Sequence, residues 1–239
     1  MRGFATRFRG SGDSGAPRGS ARLVRRLVRL YAGLVLYGVS LALMVRAGLG
    51  LAPWDVFHQG LSEHTGLSIG TVLIITGAVV LLLWLPLRQR LGLGTVSNVV
   101  VIGLVMDGVL SLTPEPRALA ARAALLTTAI VLNGVATGLY ITADFGAGPR
   151  DGLMTGLHQV TGRSIRLVRT GIELTVLGTG FLLGGSVGAG TVAYALAIGP
   201  LSQVFLRMFA VPTPGGGRSA VVTGNRRRQR PRRRAILPR

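Results

Sequence analysis

Apolar residues run through this chain in long blocks broken by short polar punctuation, rather than alternating with charges as on a half-buried strand or a water-washed helix. Taking about 20 apolar residues as one crossing of a bilayer, the blocks predict six spans, at 28–47, 67–87, 95–112, 119–141, 165–184 and 191–210. Segments 53–65 and 149–162 are left over, too short to cross a hydrocarbon core that needs about 20 residues. Each follows a glycine-rich turn, "GLGLAPWDVFHQGL" at 48–61 and "DFGAGPRDGLMTGL" at 144–157.

The two turns belong to a longer repeat. Shifted by 96 positions without a gap, residues 38–110 match 134–206 at roughly a third of positions, well above what this composition gives by chance. "TGLSIG" answers "TGRSIR", "GLGTV" answers "GAGTV", and Ile102-Gly103 answers Ile198-Gly199. Each half reads span, short helix, span, span. Three crossings is an odd number, so the second copy would enter the membrane from the opposite face, an inverted repeat.

Arginine placement gives the same topology independently. With the N-terminus inside, inner segments hold the N-terminal arginines, Arg88, Arg90, Arg150, Arg163, Arg166 and the C-terminal cluster, while outer ones hold Arg46, Arg117 and Arg122. That bias predicts both termini in the cytoplasm. The apolar run after the N-terminal arginines has the order of a signal peptide, but it continues to Val45 without a small-residue cleavage site and its counterpart recurs inside the chain, so it reads as a retained span. The expected fold is an all-α polytopic membrane protein with six transmembrane helices in a 3+3 inverted repeat, each half carrying a short re-entrant or interfacial helix. Its parts are a basic tail (1–27), a first membrane repeat (28–112), a second membrane repeat (113–210) and a polybasic tail (211–239).

Composition sharpens this picture in three ways. Hydrophobic residues make up 49% and charged residues 15% of the 239 positions, and mean hydropathy is +0.51, values of a membrane rather than a soluble chain. Cysteine is absent, which removes disulfides and thiolate chemistry. The net charge of +19, all its cations arginine, comes largely from the two tails, so it points away from nucleic acid. The tails are expected to be disordered and to lie against anionic lipid headgroups, at about 1 kcal/mol per charge near the surface, or simply to set topology.

The runs "GLGLAPWDVFHQGL", "LRQRLGLGTVSNVVVIGL", "GAGPRDGLMTGLHQVTGRSIRLVRTGIELTVL" and "GAGTVAYALAIGP" resemble the YczE/YyaS/YitT group of bacterial integral membrane proteins, YczE most of all. The similarity covers about residues 30–210, and "GPRDGLM" and "RTGIE" are its more specific stretches. The resemblance implies a bacterial inner-membrane location and carries no activity with it.

Chemistry must come from the repeated turns. Gly48 and Gly50 permit a tight or left-handed backbone after a span, Pro53 suits the first turn of a helix, and Asp55 meets the helix's positive end. Gly146, Gly148, Pro149 and Asp151 repeat the arrangement. Irregular backbone at membrane depth survives only where protein or an aqueous cavity covers it. The expected solute site therefore lies between the repeats, lined by Trp54, Asp55, Arg150 and Asp151; the alternative is that Asp55 and Asp151 cap helices lying on the membrane surface.

Glu173 sits inside the fifth span with Arg169 four residues earlier on the same face, either an ion pair or a coupling site. Asp107 reads as structural, and Asn98 and Asn133 as hydrogen-bonding groups between helices. Gly134 and Gly138, matched by Gly38 and Ala42, predict close approach of the first and fourth spans through small faces. His58, His64 and His158 fit an interfacial amphiphile better than a metal site. With no cofactor fingerprint and no nucleophile constellation, the chain reads as non-enzymatic: a transporter or permease for a small solute, or a non-transporting membrane factor acting through partners, with a homodimer compatible with either.

Overall fold

The computed structural model describes residues 18–210, and all regular structure in that range is helical. The order is α1 (Arg18–Ala47), α2 (Pro53–Thr65), α3 (Ile69–Trp84), α4 (Leu93–Leu112), α5 (Leu119–Thr142), α6 (Pro149–Thr161), α7 (Ile165–Leu182) and α8 (Ala189–Phe209). Residues 18–27, expected in the basic tail, instead form the start of α1; the remainder of both tails lies outside the described residues.

Local sequence accounts for the breaks. Pro53 and Pro149 open α2 and α6, Asp55 and Asp151 stand in their first turns, and Gly66 (φ +70°) and Gly162 (φ +66°) end them in the left-handed conformation. Two residues later a serine restarts the chain: Ser68 accepts from the Thr71 amide at 3.2 Å and Ser164 from the Leu167 amide at 3.3 Å. The repeated "TGxSI" is thus a stop followed by a cap. α2 and α3 meet at a bend of 112°.

α1, α4, α5 and α8 are each long and apolar enough to cross a membrane, and α2 with α3 makes a fifth if the bent pair is one span. The expected six are not reached on length and composition. α3 has only 16 residues, and α7 carries Arg166, Arg169 and Glu173 within 18.

At the centre α1 packs against α5; α4 flanks α1, α8 flanks α5, α2 packs on α7 and α6 on α3. Two clasps fix the direction of the central pair. Arg26, near the start of α1, donates through Nε to the Ala143 carbonyl (2.9 Å) and through Nη2 to the Asp144 carbonyl (2.6 Å), just past the end of α5. Arg122, at the start of α5, donates to the carbonyls of Ala47 (2.8 Å) and Gly48 (2.5 Å) at the end of α1. α1 and α5 are therefore antiparallel, and each helix's last carbonyls receive a cation from the other.

The glycines of the fourth span do not meet the first. A Cβ on Gly134 would touch Leu201 and one on Gly138 would touch Phe205, both of α8, while Gly38 faces Ile102 and Val105 of α4. Close approach of α1 to α5 runs through Gly33, where a Cβ would lie 2.8 Å from the Tyr140 amide nitrogen.

The turns after α1 and α5 share one backbone. Gly48 (φ +59°) and Gly50 (φ +114°) correspond to Asp144 (φ +57°) and Gly146 (φ +117°), an aspartate tolerating the left-handed region better than most residues. Gly148 is extended (φ −64°) and serves as the cap of α6 rather than as a left-handed turn residue. The start of each fourth helix holds the other half's turn: the Gly94 amide donates to the Phe145 carbonyl (2.9 Å) and the Gly190 amide to the Leu49 carbonyl (2.7 Å).

Two glycines separate conformation from space. Gly66→Ala is expected to cost about 1 kcal/mol, because only its φ opposes a side chain. Gly50→Ala should cost clearly more, since its Cβ would also lie 2.6 Å from the Gly188 nitrogen. Thermal unfolding of both variants in one detergent checks the order.

Candidate functional site

Because α2 and α6 start deep in the bundle, their first turns face a common cavity of about 450 Å³. Trp54, Asp55, Val56, His58 and Gly60 are buried in α2, so it is not a helix lying on a surface. Trp54, His58, Arg150, Asp151, Arg169 and Glu173 line the cavity, as do Pro53, Gly148 and Pro149 of the turns; Gly48, Gly50 and Gly146 act behind it as backbone.

The four residues expected to form the site come together across the two halves. Arg150 Nη2 of α6 stands 3.7 Å from Asp55 Oδ1 of α2, and its guanidinium carbon lies 5.0 Å from the centre of the Trp54 ring. His58 Nδ1 is 3.3 Å from the same Asp55 oxygen. The Asp55 side chain is 2% exposed, and two of the local polar atoms, Asp55 Oδ2 and Trp54 Nε1, are buried without a hydrogen-bond partner. Polar atoms so placed need a partner that the described residues do not supply. Asp151 is open to the cavity.

Arg169 Nε donates to Glu173 Oε1 at 2.9 Å along α7, the spacing expected from their sequence positions. Asp107 accepts from Ser68 Oγ and from the Gly70 amide (2.8 Å), capping α3 from α4. Asn133 donates to Ser40 Oγ at 3.0 Å and accepts from Tyr194 Oη at 3.3 Å, tying α5 to α1 and α8. His58 departs from the expected interfacial role: it is buried beside Asp55 because it shares α2's inner face with Trp54 and Asp55. Among the described residues no group of three His, Cys, Asp or Glu is placed to hold a metal ion.

Sequence reasoning passed over the aromatic wall. Tyr37, Tyr140 and Tyr194 line the cavity, three of the four tyrosines in the chain. Tyrosine hydroxyls in the middle of apolar spans were the available signal. It also passed over Arg26 and Arg122, which stand 96 apart and would have appeared had the repeat been extended toward the N-terminus.

The two halves differ in one respect that shapes the cavity. α3 and α4 pack tightly: a Cβ on Gly70 would collide with the Gly103 carbonyl, and one on Gly77 would lie 2.9 Å from Val99 Cγ1. The same positions in α7 are Arg166 and Glu173, and Gly199 of α8, counterpart of Gly103, has nothing within 4 Å of where its Cβ would be. The cavity therefore extends between α7 and α8, past Arg169, Glu173, Ile198, Ser202 and Gln203.

Residues 24–207 match a family of unknown function, DUF6198. The chain belongs to this family. Among relatives, an uncharacterized protein of Haemophilus influenzae is 43% identical over 177 residues, covering 74% of this chain and 81% of its own. The uncharacterized membrane protein YczE of Bacillus subtilis is 37% identical over 180 residues, 74% of this chain and 83% of its own. YyaS, an uncharacterized protein of Bacillus subtilis, is 25% identical over 179 residues, 73% and 89% of the two chains. No solved structure matches the chain. The family match spans every helix except the two ends, so the cavity and both turns lie wholly within it.

Proposed function

We propose that this DUF6198 member is a membrane permease for a small solute, built from two inverted halves with both termini in the cytoplasm. One observation carries the reading: a cavity lined from both halves, with Trp54 Nε1 on its wall and Asp55 Oδ2 behind it both buried without partners among the described residues. The reciprocal Arg26 and Arg122 clasps support the inversion, and the arginine bias supports the orientation. A relative described as a membrane protein supports the location. Short helices whose amide ends point at a site between repeats suit solute binding near the midplane.

A permease must open its site to both faces in turn. The chain has no cysteine, so single-cysteine probes report one position each. Thr76→Cys on α3 and Ser202→Cys on α8, both lining the cavity, are expected to react with a membrane-impermeant maleimide from either side, in right-side-out and in inside-out vesicles. Labelling of both positions from one face only would count against a permease and for a membrane factor that acts through partners.

A further inference from the structure

The charges around the cavity do not balance. Two guanidiniums, Arg150 and Arg169, face three carboxylates; Arg150 pairs with Asp55 and Arg169 with Glu173, so that Asp151 lies within electrostatic range of both cations but, among the described residues, in a direct ion pair or side-chain hydrogen bond with neither. His58 serves Asp55, with Nδ1 3.3 Å from Asp55 Oδ1, and not Asp151. Water alone fills such a vacancy in an open cleft. Here the surroundings are of a particular kind, because Tyr37 and Tyr140 lie within electrostatic range of Asp151, and Tyr194 completes the wall.

On the other side of the carboxylate is the start of α6. A Cβ built on Gly148 would come within 3.3 Å of Asp151 Oδ2, 3.4 Å of Tyr140 Oη and 4.0 Å of Asn98 Nδ2. Glycine at this position keeps open a pocket whose rim is a carboxylate, a phenol and an amide. Its counterpart in the first half is Ala52, which is buried and lines the same cavity at a place where the carboxylate is already paired. Only one of the two symmetric turns thus has both an open pocket and an unpaired charge.

Electron-rich rings around a lone carboxylate attract a cation and, above all, an alkylated ammonium, whose charge is spread over carbon and costs little to desolvate. An anion would have to displace Asp55 from Arg150 or Glu173 from Arg169 to find a cation. We infer that the cavity binds a small organic ammonium, with Asp151 as its counter-ion and Tyr37, Tyr140 and Tyr194 as its cage. This deepens the permease reading and rests on it for the direction of movement, though not for binding.

Isothermal titration calorimetry on the purified full-length protein in detergent tests it with three probes: tetramethylammonium chloride, trimethylglycine and sodium acetate, at matched ionic strength. Saturable binding of tetramethylammonium is expected, at least about tenfold weaker in Asp151→Asn and retained in Asp151→Glu. Tyr140→Leu should bind more weakly than Tyr140→Phe, which keeps the ring. Three results would overturn the inference: saturable binding of acetate with none of tetramethylammonium, tetramethylammonium binding unaltered in Asp151→Asn, or no saturable binding of either probe that carries a quaternary ammonium. Cavity positions that label from both faces while no ammonium binds would sink the ligand class and leave the permease. Ammonium binding with labelling from one face only would do the reverse.

Discussion

Gly152→Val should yield little monodisperse protein from detergent extraction, with unfolding many degrees below the parent. A Cβ at this position falls inside the indole of Trp84, which is 2% exposed and held in place by donating from Nε1 to the Pro149 carbonyl at 3.0 Å. Overpacking a core ordinarily costs about 1–3 kcal/mol because side chains shift to make room. This indole cannot shift without surrendering its hydrogen bond at the first turn of α6, so the effect belongs at or beyond the top of that range. Two controls isolate the cause. Gly171→Val, in open space on α7, should unfold as the parent does, and Trp84→Leu in the Gly152→Val chain should recover part of the loss.

Arg150→Met is expected to lower stability by about 2–3 kcal/mol, since removing the partly exposed guanidinium strands a buried carboxylate. Asp55 is the charge stranded: its side chain is 2% exposed, with only His58 left beside it. Adding Asp55→Asn should restore most of that stability, as the asparagine needs no counter-charge. A double-mutant cycle by thermal unfolding measures the coupling. Additive losses would mean that Asp55 and Arg150 do not act as a pair across the two halves.

How far the sequence foretold this arrangement depends on what each signal encodes. Helix ends were legible because they are local. Proline at the first position, an aspartate in the first turn, left-handed glycine and capping serine act within a few residues, so α2 and α6 could be bounded closely. The equivalence of Asp55 and Asp151 was legible through the repeat, which puts them in matching first turns. Partner choice was not. GxxxG spacing announces a close neighbour without saying which helix it is, and Gly134 and Gly138 found α8 rather than α1. Burial misled for His58, because the pattern of a 13-residue helix does not tell a membrane surface from the inside of a bundle. The six-span count rested on apolar length, and α7 keeps its charges at positions where α3 has glycine. The reason is visible only in three dimensions, where those side chains face a cavity instead of a packed neighbour.

The clasps of Arg26 on the end of α5 and of Arg122 on the end of α1 have a bearing on ancestry. One arginine at one position satisfies one helix end in its antiparallel neighbour, and the same arginine in the neighbour returns the contact. A single ancestral half, inserted into the membrane in both orientations, would therefore have closed upon itself as an antiparallel homodimer, with nothing more to invent. On the permease reading, fusion of two such genes would have freed the copies to diverge, and the place where they differ is the α7–α8 pair, open at Gly199 where its counterpart Gly103 is tightly packed.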